Sequence, residues 1–339
     1  MKVGMYYSNS DVRAEEMKRP IISDDEILMK VVSSGICGSD VMEWYRIKKA
    51  PLVLGHEVSG VVEEAGDSVD GFSRGDRIVV THHVSCGDCR YCNDGNETMC
   101  ETLRKTKFYP GGFSQYLRIP AINVSRGTLK LPDNVSFDEA TFVEPLGCVV
   151  RSQRIAGIRK NHTVLVIGSG ISGLLHIKLA KSRGAKVFAT DISEKRMLAA
   201  EAAGADFVFS VNDDISSKLT EKNGRLADRV IVCTGAFPAF TQALSCAERG
   251  GKVLFFASTK PDAEVPVKVE HLWKNGICIV TSYAASKKDL QEAMEIIGKG
   301  EVEVASMITD RLPISQIQRG FDLMTGDNDS VKIIIRPND

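Results

Sequence analysis

Residues 163–173 read Thr163-Val164-Leu165-Val166-Ile167-Gly168-Ser169-Gly170-Ile171-Ser172-Gly173, an apolar run that breaks into three spaced glycines. The first five suit a buried strand, and Leu174, Leu175, Ile177, Leu179 and Ala180 suit the apolar helix that follows. In a strand–turn–helix of this kind Gly168 makes the tight turn and Gly170 lets the backbone approach a pyrophosphate. Gly173 lets helix and strand pack closely. The helix start, with Ile171 and Ser172, presents unpaired N–H groups and a positive dipole end to phosphate. Three glycines at this spacing also fit an ordinary loop, so the residues further on decide. A second run, Lys186-Val187-Phe188-Ala189-Thr190, ends in Asp191, where an acid that accepts from ribose hydroxyls belongs. A carboxylate there repels a 2′-phosphate, so NAD is expected over NADP. Arg196 is expected beside the adenine or in solvent.

Working outward, apolar runs at 163–167, 186–189, 206–209, 229–232, 252–257 and 276–280 alternate with helical stretches such as 171–183 and 194–203. That alternation predicts a Rossmann domain, a doubly wound parallel sheet. Before about residue 150 the character changes. Short runs such as Glu26–Val32 and Arg77–Val80 are broken every few residues by Gly, Pro or Asp, which predicts an irregular, strand-rich domain. After residue 288 a helix over Lys288–Lys299 gives way to strand-like pieces at Ala305–Ile308 and Val331–Ile335. The tail is expected to fold back on the first domain. Residues 1–149 and 289–339 then form one domain, catalytic and zinc-binding, and 150–288 the NAD-binding other. The fold class is α/β.

The 339 residues carry 43 basic and 44 acidic side chains, a balance without a nucleic-acid or polybasic membrane signature. The expected partner is a small molecule, with no nucleic acid and no membrane. The first residues turn polar at Ser8–Asp11, too early for a signal peptide, and no apolar run approaches the roughly 18 residues of a membrane span. A cytoplasmic protein, assembled as a homodimer or homotetramer, is expected.

Nine cysteines are many for such a chain, and four of them, Cys86, Cys89, Cys92 and Cys100, sit close together among Gly, Asp, Asn and Arg. Clustered thiols in a large chain point to metal rather than to a disulfide framework. Four thiolates at this spacing close a tetrahedron around Zn²⁺ and leave no position open for chemistry, so the site is structural. A second constellation is dispersed: Cys37 in Gly35-Ile36-Cys37-Gly38-Ser39-Asp40, then His56-Glu57, then Glu144-Pro145-Leu146. One sulfur, one imidazole and one or two carboxylates suit a catalytic zinc with an open place. Each piece alone also fits a core cysteine, a turn or a helix cap, and spacing does not show that they meet.

These segments, in this order, together with Val232-Cys233-Thr234-Gly235 and Arg249-Gly250-Gly251-Lys252-Val253, resemble the zinc-containing medium-chain dehydrogenase/reductase family, most closely its polyol branch of sorbitol and threonine dehydrogenases. The resemblance implies a GroES-like catalytic domain beside the Rossmann domain. It implies two zinc ions per chain, and a catalytic one held by Cys37, His56 and Glu57, with Glu144 binding directly or through water. It places Thr234 with Gly168, Gly170, Ile171, Ser172, Gly173, Asp191 and Arg196 at the cofactor, and makes Ser39 the group that takes the substrate proton. Asp40 is implied as a hydrogen-bonding support of the zinc site. With zinc as Lewis acid, an alcohol pKa falls toward about 7, and the alkoxide passes hydride to the nicotinamide. The expected activity is oxidation of a secondary alcohol (a polyol, cyclitol or amino alcohol) with NAD. An NADPH-linked aldehyde or ketone reductase and a catalytically silent scaffold are the alternatives.

One departure stands out. Many relatives carry histidine three residues after the serine, completing a proton relay, and here that position is Met42. Glu43 is the nearest titratable replacement, and if the segment is extended it faces away from Met42 and toward substrate. Trp44 reads as a pocket wall or as a core aromatic. Lys48 and Lys49 read as a solvated charge pair, with a phosphorylated substrate as the alternative.

Overall fold

The computed structural model describes residues 1–326 and 330–339. The chain divides into two compact units, Met1–Gly147 with Ala284–Asp339, and Cys148–Tyr283.

The second unit is built on six parallel strands, ordered across the sheet Phe207–Ser210, Lys186–Asp191, Thr163–Ile167, Ala227–Val232, Ala247–Phe255 and Cys278–Thr281. In chain order this is 3-2-1-4-5-6, the doubly wound Rossmann arrangement. Thr163–Ile167 lies at the centre, hydrogen-bonded on both sides and buried at every residue, which is why its sequence is continuously apolar. The strand order reverses beside it, with the next strand in sequence on one side and the fourth on the other, so Gly168 leaves the sheet at the crevice where such folds take their ligands. Leu165, Ile167, Phe188, Val230, Val232 and Phe240 fill the core of this unit. Each such side chain contributes about 1.5–3 kcal/mol of burial.

The first unit carries a seven-stranded sheet in which Ile308–Pro313, Lys332–Arg336, Ile27–Gly35, Glu57–Ala65, Arg77–Val80 and Thr128–Lys130 follow one another, with Tyr116–Ile119 also paired to Ile27–Gly35. A smaller three-stranded sheet joins Asp11–Glu16, Lys2–Ser8 and Leu52–Val53. The C-terminal strand is therefore an inner member of this sheet, between Ile308–Pro313 and Ile27–Gly35, and the sheet's other five strands come from the first 130 residues. Asp138 reinforces that return: Ser33 Oγ, Arg311 Nε and Arg336 Nη2 donate to its carboxylate at 2.6, 2.6 and 2.8 Å. The piece at 305–308 differs from expectation. Ala305–Met307 is a 3₁₀ turn and the strand starts at Ile308, because the Glu303 carboxylate accepts the Ser306 N–H at 2.9 Å and curls the backbone.

Candidate functional site

Register brings the dispersed residues together. Strands Ile27–Gly35 and Glu57–Ala65 are antiparallel with Gly35 opposite Glu57. Cys37 lies two residues beyond one strand end and His56 one residue before the other, so both arrive at the same edge. The ligand atoms of Cys37, His56 and Glu57 lie within 4.8 Å of one another. Bonds of 2.0–2.3 Å to a tetrahedral zinc require edges of about 3.3–3.8 Å, which small side-chain shifts supply. Glu144 is not one of the three. It stands half-buried in the first turn of the helix Val143–Ala156.

Asp40 is fully buried beneath this cluster. One oxygen accepts the Cys37 N–H at 3.1 Å, and the other faces His56 Nδ1 at 3.4 Å and Arg46 Nη2 at 3.6 Å. Burial raises the cost of its charge, but His56 and then Arg46 outweigh it, so its pKa lies below the ordinary value. With Nδ1 held by Asp40, Nε2 of His56 is the nitrogen left for a metal. Glu57 gives one carboxylate oxygen to the ammonium of Lys332, and both side chains are 1% exposed. Ser39 Oγ sits 3.4 Å from Cys37 Sγ and accepts from Arg46 Nη2 at 3.1 Å.

The four clustered cysteines also converge. Neighbouring sulfurs are 3.6 Å (Cys89 to Cys92), 3.6 Å (Cys100 to Cys86) and 4.0 Å (Cys86 to Cys92) apart. Four sulfurs at 2.3 Å from one zinc stand about 3.8 Å apart, so the lobe already has the dimensions of a ZnS₄ site. The Cys86 and Gly87 N–H groups donate to the sulfurs of Cys100 and Cys92 at 3.4 and 3.3 Å, as thiolates require. Burial alone would raise the Cys100 pKa, but the Cys86 N–H leads the groups that bring it down to about 6.

In the other unit the glycine turn has the geometry its spacing predicts. Gly168 is left-handed, with φ of 93°. A Cβ on Gly173 would run into the Gly168 carbonyl, whereas one on Gly170 would meet nothing within 4 Å. That open cradle at the start of the helix Ile171–Ser182, with Ser172 in its first turn, fits a pyrophosphate. Thr234 lies against the turn, its Cβ 3.1 Å from where a Gly168 side chain would begin. Asp191 ends its strand buried, accepting Ser169 N–H at 2.7 Å and Ser193 N–H at 2.9 Å. Each oxygen keeps a second lone pair for a ribose hydroxyl. Arg196 is exposed on the helix Glu194–Ala202.

Comparison with known proteins agrees with both halves. Residues 23–133 match the alcohol dehydrogenase GroES-like domain, and residues 172–299 match the zinc-binding dehydrogenase domain. An alcohol dehydrogenase of Geobacillus stearothermophilus is 30% identical over 333 residues, covering 96% of each chain. A sorbitol dehydrogenase of Bacillus subtilis is 28% identical over 351 residues, covering 100% of this chain and 98% of its own. The chain belongs to the zinc-containing medium-chain dehydrogenases, in their polyol branch. Among solved structures, a zinc-binding dehydrogenase from Sinorhizobium meliloti bound to NADP superposes with a TM-score of 0.88, at 25% identity and 99% coverage of both chains. No helix among the described residues is long and apolar enough to cross a membrane.

Within this dehydrogenase the segment after Ser39 departs from the extended path expected of it. Met42 caps a short helix, Glu43–Arg46, followed by a 3₁₀ turn at Ile47–Lys49. Glu43 therefore turns to the neighbouring hairpin, where its carboxylate accepts the Asn9 N–H at 3.0 Å. Glu43 does not take the alternating strand position expected of it, because the backbone coils there. Trp44 is not a core residue: it is 36% exposed and lies 5.8 Å from the Tyr45 ring. Four neighbours were not singled out from the sequence. Arg46 and Lys332 are described above. His82 and His83 follow the strand Arg77–Val80, with His82 4.8 Å from the His56 ring and 3.6 Å from the His83 ring. Burial, then His56, holds both imidazoles neutral, His82 well below the ordinary pKa and His83 at about 4. A His-His pair one residue past an apolar strand is the signal the sequence offers.

Proposed function

We propose that this chain oxidises a secondary alcohol, with NAD accepting the hydride, at the edge formed by Cys37, His56 and Glu57. The observation that carries the reading is the convergence of those three ligands with the Ser39 hydroxyl 3.4 Å from the Cys37 sulfur. A zinc ion held there, with Glu144 as a further ligand directly or through water, supplies Lewis acidity to the substrate oxygen. Ser39 takes the hydroxyl proton, and the carbinol carbon loses hydride to NAD⁺ as it becomes a carbonyl. Arg46 fixes the serine rotamer and favours negative charge on its oxygen. Asp40 orients His56 and holds its tautomer, and Lys332 holds Glu57. Met42 carries no proton, so the proton leaves Ser39 through water. The cysteine lobe holds a second, structural zinc. The protein works in the cytoplasm as a homodimer or homotetramer.

NAD is favoured by Asp191, the buried carboxylate that ends the second strand of the glycine-turn unit and would repel a 2′-phosphate. The NADP-bound neighbour supports a second reading, an NADP-linked reductase. The test incubates zinc-replete protein with a panel of sugar alcohols, cyclitols and amino alcohols, with NAD and NADP compared at equal concentration. Reduced nicotinamide with NAD at higher kcat/KM supports the first reading. Equal or better efficiency with NADP supports the second. No reduction with any alcohol, and no reverse reaction with any ketone, leaves a binding scaffold.

A further inference from the structure

The segment Tyr45–Lys49 carries three cations, of which Arg46 reaches the reacting serine and Lys49 shares an aromatic ring with Arg46. Arg46 is 15% exposed along its side chain. Its Nε and Nη2 donate to the Ser39 carbonyl and hydroxyl at 2.9 and 3.1 Å. Nη1 takes no hydrogen-bond acceptor among the described residues. Lys49 Nζ lies 4.3 Å from the centre of the Tyr45 ring, and the Arg46 guanidinium carbon lies 4.7 Å from the same centre. One aromatic ring thus gathers both charges.

Asp40 is divided among His56, the Cys37 N–H and, at 3.6 Å, Arg46 Nη2, so it offsets part of the Arg46 charge but leaves Nη1 without a partner. Glu57 faces Lys332, and Glu43 accepts the Asn9 N–H. Lys49 forms no ion pair among the described residues. Two like charges around one ring repel, and an arriving anion relieves that repulsion. A guanidinium presents donors in a planar fork suited to a carboxylate or phosphate, while an ammonium adds a point charge. An uncharged polyol uses neither.

We infer that the alcohol substrate carries an anionic group, a carboxylate or a phosphate, seated on Arg46 Nη1 and Lys49 within a few bonds of the carbinol carbon. The short distance follows from Arg46 itself. The nitrogen that grips Ser39 and the nitrogen offered to the anion belong to the same guanidinium, about 2.3 Å apart by ordinary bond geometry. A substrate hydroxyl on Ser39 and an anion on Nη1 therefore belong to adjacent carbons or nearly so. The class is a hydroxy acid or polyol acid, or a hydroxyalkyl phosphate. This assignment rests on the dehydrogenase reading and narrows its substrate. The chemistry is otherwise unchanged: the carbinol carbon gives hydride to NAD⁺, the hydroxyl proton goes to Ser39, and a keto acid or keto phosphate results.

The test uses zinc-replete, full-length protein with matched sets: neutral polyols, the corresponding aldonic acids, 2- and 3-hydroxy acids, and polyol phosphates. The expected result is a kcat/KM for an acid or a phosphate at least tenfold above its neutral counterpart. Whichever set leads identifies the anion. In Lys49→Met, whose contacts do not include Ser39, that preference should fall about ten- to hundredfold, mainly through KM. Arg46→Lys should lose preference and kcat together, since it also grips Ser39. Calorimetric binding of non-oxidised analogues, succinate and glycerol-type phosphates, gives a readout that needs no turnover, and binding should weaken in Lys49→Met. Neutral polyols favoured over every anion, or an unchanged preference in Lys49→Met, overturns the inference while leaving the dehydrogenase reading intact. If no alcohol is oxidised the dehydrogenase reading falls, and the isotherms then decide. Anion binding that Lys49→Met weakens upholds the anion seat, and its absence overturns it.

Discussion

Lys332→Met removes one charge from a pair in which both partners are 1% exposed. Methionine keeps much of the lysine stem's volume against Phe142, whose ring centre is 5.2 Å from the ammonium, so the substitution isolates the charge from the packing. The Glu57 carboxylate is then left buried without its cation. Removing one member of a buried pair costs about 3–5 kcal/mol, whereas replacing both is often near neutral. The unit concerned spans Met1–Gly147 and Ala284–Asp339. For a domain of that size each kcal/mol moves Tm by about 2–4 °C, so the expected fall is roughly 6–20 °C. Glu57→Gln in the same chain should recover most of it. The protein has two tryptophans, Trp44 in this unit and Trp273 in the other. In a Trp273→Phe background, urea unfolding followed by Trp44 fluorescence therefore reports this unit alone. All members of the cycle are compared in the same chelator, so any loss from the cysteine lobe cancels. A single-variant loss under about 1 kcal/mol, or a double variant as unstable as the sum of the singles, would refute the claim that Lys332 neutralises Glu57.

Three further outcomes follow from particular contacts. Burial alone would raise the Asp138 pKa, but Ser33, Arg311 and Arg336 hold it below the ordinary value. Its stabilisation is thus present above about pH 4 and lost as pH falls through the depressed value. Asp138→Asn should cost about 2–3 kcal/mol at pH 7, and its urea midpoint should converge with wild type toward pH 2. Metal analysis should find two zinc ions per chain. Cys89→Ser should lose one of them with much of the thermal stability, and Cys37→Ser should lose the other with the activity but little stability. Gly170→Ala should fold normally, since its Cβ meets nothing within 4 Å, yet bind dinucleotide at least tenfold more weakly by calorimetry. Gly173→Ala, which collides with the Gly168 carbonyl, should lower stability instead.

The parts legible in the sequence are those whose physics is local. The Thr163–Ile167 strand and the three glycines occupy one short stretch, and each glycine is needed for a reason that concerns its immediate neighbours. The cysteine lobe is legible for the same reason: four thiols within fifteen positions have little choice but to meet. Ser39 and Asp40 inherit their place from Cys37. The coil at Glu43–Arg46 was not legible, because Met42-Glu43-Trp44-Tyr45 has neither strand alternation nor a full helical turn of apolar spacing. An extended path through that stretch would aim Glu43 away from Met42, whereas the coil turns Glu43 to Asn9 and brings Arg46 to Ser39.

The cations of the site illustrate the harder limit. Lys332 lies 275 residues from Glu57, and in the sequence it is a single lysine before an apolar strand, indistinguishable from a solvated one. Its burial is decided by two register choices made elsewhere, Gly35 opposite Glu57 and Gly35 opposite Ile334. Those choices stack three strands so that Gly35 lies between an acid and a base. A trace of this does survive in the sequence. Gly35 ends a strand whose backbone is not left-handed and so has no conformational need of glycine. A Cβ there would strike both the Glu57 carboxylate and the Lys332 side chain. A glycine that the turn chemistry does not require, two residues before a metal-ligating cysteine, marks a place already filled by other side chains. Gly35→Ala should therefore lower the urea midpoint without altering any charge, by less than Lys332→Met, because the atoms it meets are side-chain ends that can shift apart. Removal of the ion pair by the double Glu57→Gln, Lys332→Met change should relieve only the electrostatic share, because the alanine methyl still meets the remaining side chains.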